Sequence, residues 1–186
     1  MSERPAGEKG DTPRPPDRGG MGPARRPPAG QRPKRGSIGL TRLKGESFEL
    51  VHPRGVKEVE LDYEEGIEIW KAGDPEGARD ALRYALSACH DNLWVHVALG
   101  QIAFKEFRDP TLARGHFGYA FELGRRALPQ GFVGRLPRDR SNNRPFYEAL
   151  DGLISCLEAL GQTHECAPIR ALRDQLSTGG SRGDRG

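Results

Sequence analysis

Cys89, His90 and His96 lie close together in this chain, and His164 and Cys166 make a second pair. Thiol and imidazole groups so near one another are what a zinc site is built from. Neither CxxC nor HExxH is present, however, and two ligand pairs that close a tetrahedron cannot be read from this pattern. Cys89 and Cys166 also fall where helices need small apolar residues. Nucleophilic catalysis finds no better footing. Ser87, Ser155 and the cysteines lack a base partner at a readable spacing, and no GxSxG, P-loop or GxGxxG occurs. Glu64 and Glu65 belong to an acidic helical stretch, where solvation accounts for paired carboxylates. The expectation is a non-enzymatic protein with no catalytic residue, metal or cofactor.

Arginine carries the other recognisable chemistry. Arg125, Arg126, Arg135, Arg138, Arg140 and Arg144 crowd around Phe132 and Asn142-Asn143. Guanidinium groups at this density suit an anion or nucleic acid, or an acidic part of the same chain. The favoured expectation is that the loop folds back on the acidic first pair of helices. At 16 residues, 129–144, it is longer than a helix connection needs, which points to specific packing or binding.

Charge is segregated along the chain. Residues 1–37 carry 9 basic and 4 acidic side chains, residues 58–109 carry 5 and 12, and residues 110–145 carry 7 and 2. The net charge of +3 is therefore a sum of unlike blocks and says little. Residues 1–36 hold eight Pro and seven Gly but no Val, Ile, Leu, Phe, Trp or Tyr. Such a segment cannot bury enough apolar surface to offset its conformational entropy, so a disordered basic arm is expected over 1–37 and a frayed tail over 179–186. No run approaches the length of a membrane span, no secretory signal is visible, and three sparse cysteines fit a reducing compartment. A cytoplasmic protein is expected.

These residues need elements to hold them. Residues 38–56 read as a short extended or hairpin cap, broken at His52-Pro53-Arg54-Gly55. Val56, Val59, Tyr63, Ile67 and Trp70 follow helical spacing, so one helix is expected over 57–71. Asp74-Pro75 then opens a helix that buries Ala78, Leu82, Ala85 and Cys89, with Asp as N-cap and Pro at N1. Asp91 or Asn92 caps a third helix bearing Leu93, Val97, Gly100 and Phe104. Asp109-Pro110 opens a fourth with Ala113, Phe117, Ala120 and Phe121. Pro145 starts a fifth with Leu150, Leu153, Ile154 and Leu157, and Thr163 caps a sixth through Ile169, Leu172 and Leu176.

Within this pattern one segment occurs twice, 35 residues apart: 74–86 (DPEGARDALRYAL) and 109–121 (DPTLARGHFGYAF). Asp, Pro, Ala, Arg, Tyr and Ala are identical, and Leu82 and Leu86 become Phe117 and Phe121. A period of about 34 to 35 residues marks a stacked helical hairpin.

Small residues narrow the class. Gly66, Ala78, Leu82 and Ala85 recur as Leu99-Gly100, Ala113, Phe117 and Ala120, a phase at which two helices approach closely around one larger side chain. The chain thus resembles the tetratricopeptide-repeat family over about residues 57–128. Trp94 sits five residues before Leu99 instead of three, and the second unit carries one extra residue between Gly100 and Ala113. A third, degenerate unit spans 145–177, with Cys166 or Ala167 as its small second-helix residue. The stretch RPFYEALDGL from Arg144, with LEALG ending at Gly161, looks like a segment of suppression-of-tumorigenicity-type tetratricopeptide proteins.

The resemblance implies an all-α array of about three antiparallel hairpins (57–90, 91–128 and 145–177) whose first helices line a concave groove. Carried over by phase, groove positions include Glu60, Tyr63, Glu64, Ile67, Trp70 and Lys71, then Trp94, Val97, Gln101, Phe104 and Lys105. The partner-binding set expected is Tyr63, Trp70, Lys71, Trp94, Gln101, Phe104 and Lys105, facing an extended peptide. The alternative for Trp70 and Phe104 is packing between units. The family's carboxylate clamp needs Lys and Asn where Tyr63, Val97, Ile67 and Gln101 stand, so capture of a chaperone tail in that manner is not expected. The function implied is a protein-interaction module. The other reading is a nucleic-acid- or ribosome-associated protein that uses the basic arm and the Arg-rich loop.

Overall fold

The computed structural model describes residues 37–179. The expected arm over residues 1–36 and most of the expected tail, 180–186, lie outside the described residues. Two strands come first, β1 (Gly39–Arg42) and β2 (Phe48–Val51), paired antiparallel with Leu40 opposite Leu50. Seven helices follow among the described residues: α1 (Gly55–Glu58), α2 (Glu60–Lys71), α3 (Pro75–Ala88), α4 (Leu93–Lys105), α5 (Pro110–Ala127), α6 (Arg144–Ala159) and α7 (Cys166–Thr178). Single 3-10 turns, Ser141–Asn143 and Thr163–Glu165, lead into α6 and α7. None of these helices is long and apolar enough to cross a membrane.

The caps follow from side-chain chemistry. Asp74 accepts from the Gly77 N–H at 2.9 Å, and Asp109 accepts from the Leu112 N–H at 2.9 Å. Each aspartate satisfies an N–H that has no helical acceptor, and the proline after it supplies none. Asn92, not Asp91, caps α4 through the Val95 N–H at 3.3 Å. Two expectations need correction. The helix expected over 57–71 is broken at Val59 (φ −107°, ψ 17°) into α1 and α2. Thr163 makes no cap, because its 3-10 turn delays α7 until Cys166, which is buried while Ala167 is exposed.

Successive helices pack as antiparallel pairs. Late in α2, Ile69 lies against Gly77 at the start of α3, while Gly66 lies against Leu82 further on. Gly66 and Gly100 keep their helices close. A Cβ on Gly66 would stand 2.8 Å from Leu82, and one on Gly100 would stand 2.9 Å from the Phe117 ring. Phe117 is confined from the other side too, since a Cβ on Gly152 of α6 would come within 2.5 Å of the same ring. Nine residues of α4 are buried, so α4 serves two cores. Val95, Ala98, Leu99 and Ile102 face Ala78, Leu82 and Ala85. Leu93 and Val97 join the larger cluster with α5, α6 and α7.

The Arg-rich loop closes the molecule, and not where it was expected. Its partners are the β-hairpin, α6 and α7 rather than the acidic α2–α3 pair. Arg135 bridges Ser47 in parallel, with Phe48 N–H to Arg135 O at 2.7 Å and Arg135 N–H to Glu46 O at 2.8 Å. Phe132 packs edge-on against Phe48, and Leu136 is fully buried with its N–H on Leu176 O. Apolar burial of Phe132 and Leu136 fixes this course, and exposed arginines cannot offset its loss. Asn143, buried in the joint, accepts from the Leu50 N–H at 2.9 Å and donates to Phe48 O and Pro137 O.

Candidate functional site

A cleft of about 860 Å³ opens where β2, α1, α2, the start of α4 and the turn at Asn142 meet. Tyr63 comes from α2 and Trp94 from the first turn of α4, held by the Asn92 cap. His52 arrives from the chain break after β2, and its ring centre lies 6.0 Å from that of Trp94. The His52 Nε2–H donates to the Asn142 carbonyl at 2.8 Å. A carbonyl only accepts, so Nδ1 is the acceptor nitrogen. That Nδ1 is buried and has no hydrogen-bond partner among the described residues. Burial holds the His52 pKa below its ordinary value, against the Asn142 carbonyl and the Glu49 charge. Burial also pushes the Tyr63 phenol up, aided by Glu148 and opposed by Arg144.

Charge around the cleft is unbalanced. Glu49, Glu58, Glu60 and Glu64 line it with Arg54 and Lys57. Four acids against two bases leave a formal −2 (2 − 4) with His52 neutral.

Two of the seven residues expected to face a partner line the cleft. Tyr63 and Trp94 converge in the cleft. Trp70 and Lys105 meet outside it, with Lys105 Nζ 5.8 Å from the indole centre, and Trp70 Nε1–H donates to Glu106 at 3.0 Å. Lys71 pairs with Glu68 on its own helix at 2.7 Å. Phe104 packs against the larger core, and Gln101 is half-buried on α4. The sequence marks neither His52 nor Arg54 as a site residue, and it groups Asn142 with the Arg-rich loop. Only the dense Pro-Gly break at 53–55 hinted at a special backbone there.

The six arginines also separate. Arg125 pairs with Glu122 at 2.8 Å and Arg144 with Glu148 at 2.7 Å, each on its own helix. Arg126 is exposed on α5. Arg135, Arg138 and Arg140 line a second hollow, joined by Arg42 and Lys44 of the hairpin. Arg138 pairs with Asp151 and lies 5.0 Å from the Tyr147 ring centre.

None of the remaining reactive residues lines the cleft. Cys89, Cys156 and Cys166 are buried free thiols, and burial raises the Cys156 pKa to about 11. Ser87 and Ser155 hydroxyls donate to backbone carbonyls of their own helices. No three His, Cys, Asp or Glu side chains gather as a metal site among the described residues. His96 and His116 pair at 3.5 Å between Nδ1 atoms, and His96 Nε2–H donates to His90 O. Comparison with protein-family models, with curated proteins and with solved structures finds no match.

Proposed function

We propose that residues 55–178 form a tetratricopeptide-like array of three helical hairpins whose function is non-enzymatic: it captures a partner peptide in the cleft beside Tyr63 and Trp94. The repeat reading is supported by the antiparallel pairs and by Gly66 and Gly100, which meet Leu82 and Phe117 at equal phase. It is also supported by α4, which packs on α2 and α6 and so sets first helices side by side. Such arrays work through surfaces that successive units share.

The observation that carries the binding reading is the meeting of Tyr63, Trp94 and His52 around one acidic opening. Aromatic side chains supply contact area at small entropic cost, and the excess of carboxylates favours a basic peptide with an apolar anchor.

Selection of displayed peptides on the full chain tests this. Basic peptides should be enriched, and their affinity should fall at least tenfold on Trp94→Ala or Glu64→Lys while Lys71→Ala changes little. Peptides whose binding ignores Trp94 and Glu64 refute the cleft.

A further inference from the structure

The hairpin turn and the long loop enclose a hollow of about 990 Å³ on a part of the surface that does not line the cleft. Five cations line it: Arg42, Lys44, Arg135, Arg138 and Arg140, with Asp139 as the one acid. Asp151 already neutralises Arg138, so the formal balance is +3 (5 − 2). Like charges brought together repel, and an anion relieves that repulsion.

The cations sit on a fixed frame. The Ser47–Arg135 bridge ties the two loops together, Arg42 Nε–H donates to Gly45 O at 3.0 Å, and Arg135 reaches Ser47 Oγ at 3.3 Å. Arg138 is anchored by Asp151 and Tyr147. Lys44 and Arg140 differ from these. Both are exposed, and neither side chain has a hydrogen bond or ion pair among the described residues.

The shape favours a chain over a single phosphate. Lys44, Ser47 and Arg135 are shared with an adjoining hollow of about 520 Å³ that runs on to Val133 and Thr178 and adds one acid, Glu46, so the joined hollows keep a formal balance of +2 (5 − 3). Two continuous concavities with cations and hydroxyls at their junction suit successive phosphates. No aromatic ring lines either one, so base stacking plays no part.

We propose that these joined hollows bind the sugar-phosphate backbone of a single-stranded nucleic acid, without base preference, with Lys44 and Arg140 as the free cations that engage it. Sequence alone pointed to the Arg-rich loop. Two of its five cations, Arg42 and Lys44, come from the hairpin.

Fluorescence anisotropy on the full chain with labelled oligouridylate and oligothymidylate tests the site. Both should bind at about 50 mM salt, with affinity falling steeply as salt rises. The double variant Lys44→Glu/Arg140→Glu should bind at least tenfold more weakly. Its slope of log affinity against log salt should be shallower by about 1.4, at about 0.7 per lost contact on a single strand. Asp139→Asn should tighten binding. The charge-matched control Arg125→Glu/Arg126→Glu, outside both hollows, should stay within about twofold of the parent. Three results overturn the proposal: no binding at low salt, equal losses in the two double variants, or displacement by a monophosphorylated peptide at equal phosphate concentration.

Discussion

Residues 74–86 and 109–121 share an Asp-Pro entry and the same buried alanines, yet press against different neighbours. In the first copy Leu82 meets Gly66 of α2. In the second, Phe117 fills the space between Gly100 of α4 and Gly152 of α6. Ala78, Ala85, Ala113 and Ala120 are fully buried in both. The outward residues diverge: Tyr84 is 68% exposed, while Tyr119 is 43% exposed and lies 4.6 Å from the His96 ring centre. Shared residues thus set how a helix begins and how closely it approaches. The exchanged residues record what lies on its far side.

The contrast breaks most readily at the core pair. Phe117→Ala removes a ring held by two glycines and should cost about 3–5 kcal/mol, with Leu82→Ala about 1 kcal/mol less. Urea denaturation of both variants checks this, and a greater loss at Leu82 would reverse the order. The shared entry should be indifferent to copy. Asp74→Ala and Asp109→Ala should each cost about 1 kcal/mol, because the bond lost is 2.9 Å long in both. Unequal costs would mean that surroundings, not the cap, set the value.

The smallest effect is a difference in acid response. His116 stands where the first copy has Ala81. Burial, then His96 on α4 and Arg83 on α3, lowers its pKa from 6.5 to about 4. As pH falls through 6.5, the unfolded chain takes up a proton that the folded form refuses until about pH 4, so stability declines across that window. His116→Ala should narrow the change in urea midpoint between about pH 7.5 and pH 5. Part of the decline should remain, because burial also lowers the pKa of His52 and His96. An unchanged decline would remove His116 from this role.

What the sequence disclosed was mostly local. Aspartate caps, buried alanines and the two glycine contacts follow from neighbours within one hairpin, and spacing reveals them. What it concealed depends on distant partners. Gly152 matters through Phe117 on the preceding helix. Asn143 looked like part of a polar loop but is a buried joint, because its partners come from β2 and Pro137. Trp70 and Phe104 share a phase and both pack against a core, Trp70 on the smaller cluster beneath Lys105 and Phe104 on the larger one, a division between cores that spacing does not encode. Of the binding set, Tyr63 and Trp94 meet in the cleft, while His52 and Arg54 lie in a break whose pairing with Asn142 no periodicity encodes.

The joint made by Ser47, Arg135 and Asn143 also sets the order of events during synthesis. The strands leave the ribosome early, but the groups that fasten them are made about 90 residues later, roughly 5–20 s at ordinary elongation speeds. Until then a two-stranded ribbon has little to hold it together. Birth order and assembly order are therefore inverted: the strands must wait for their clasp, and a chain cut short before Arg135 would leave that ribbon without it.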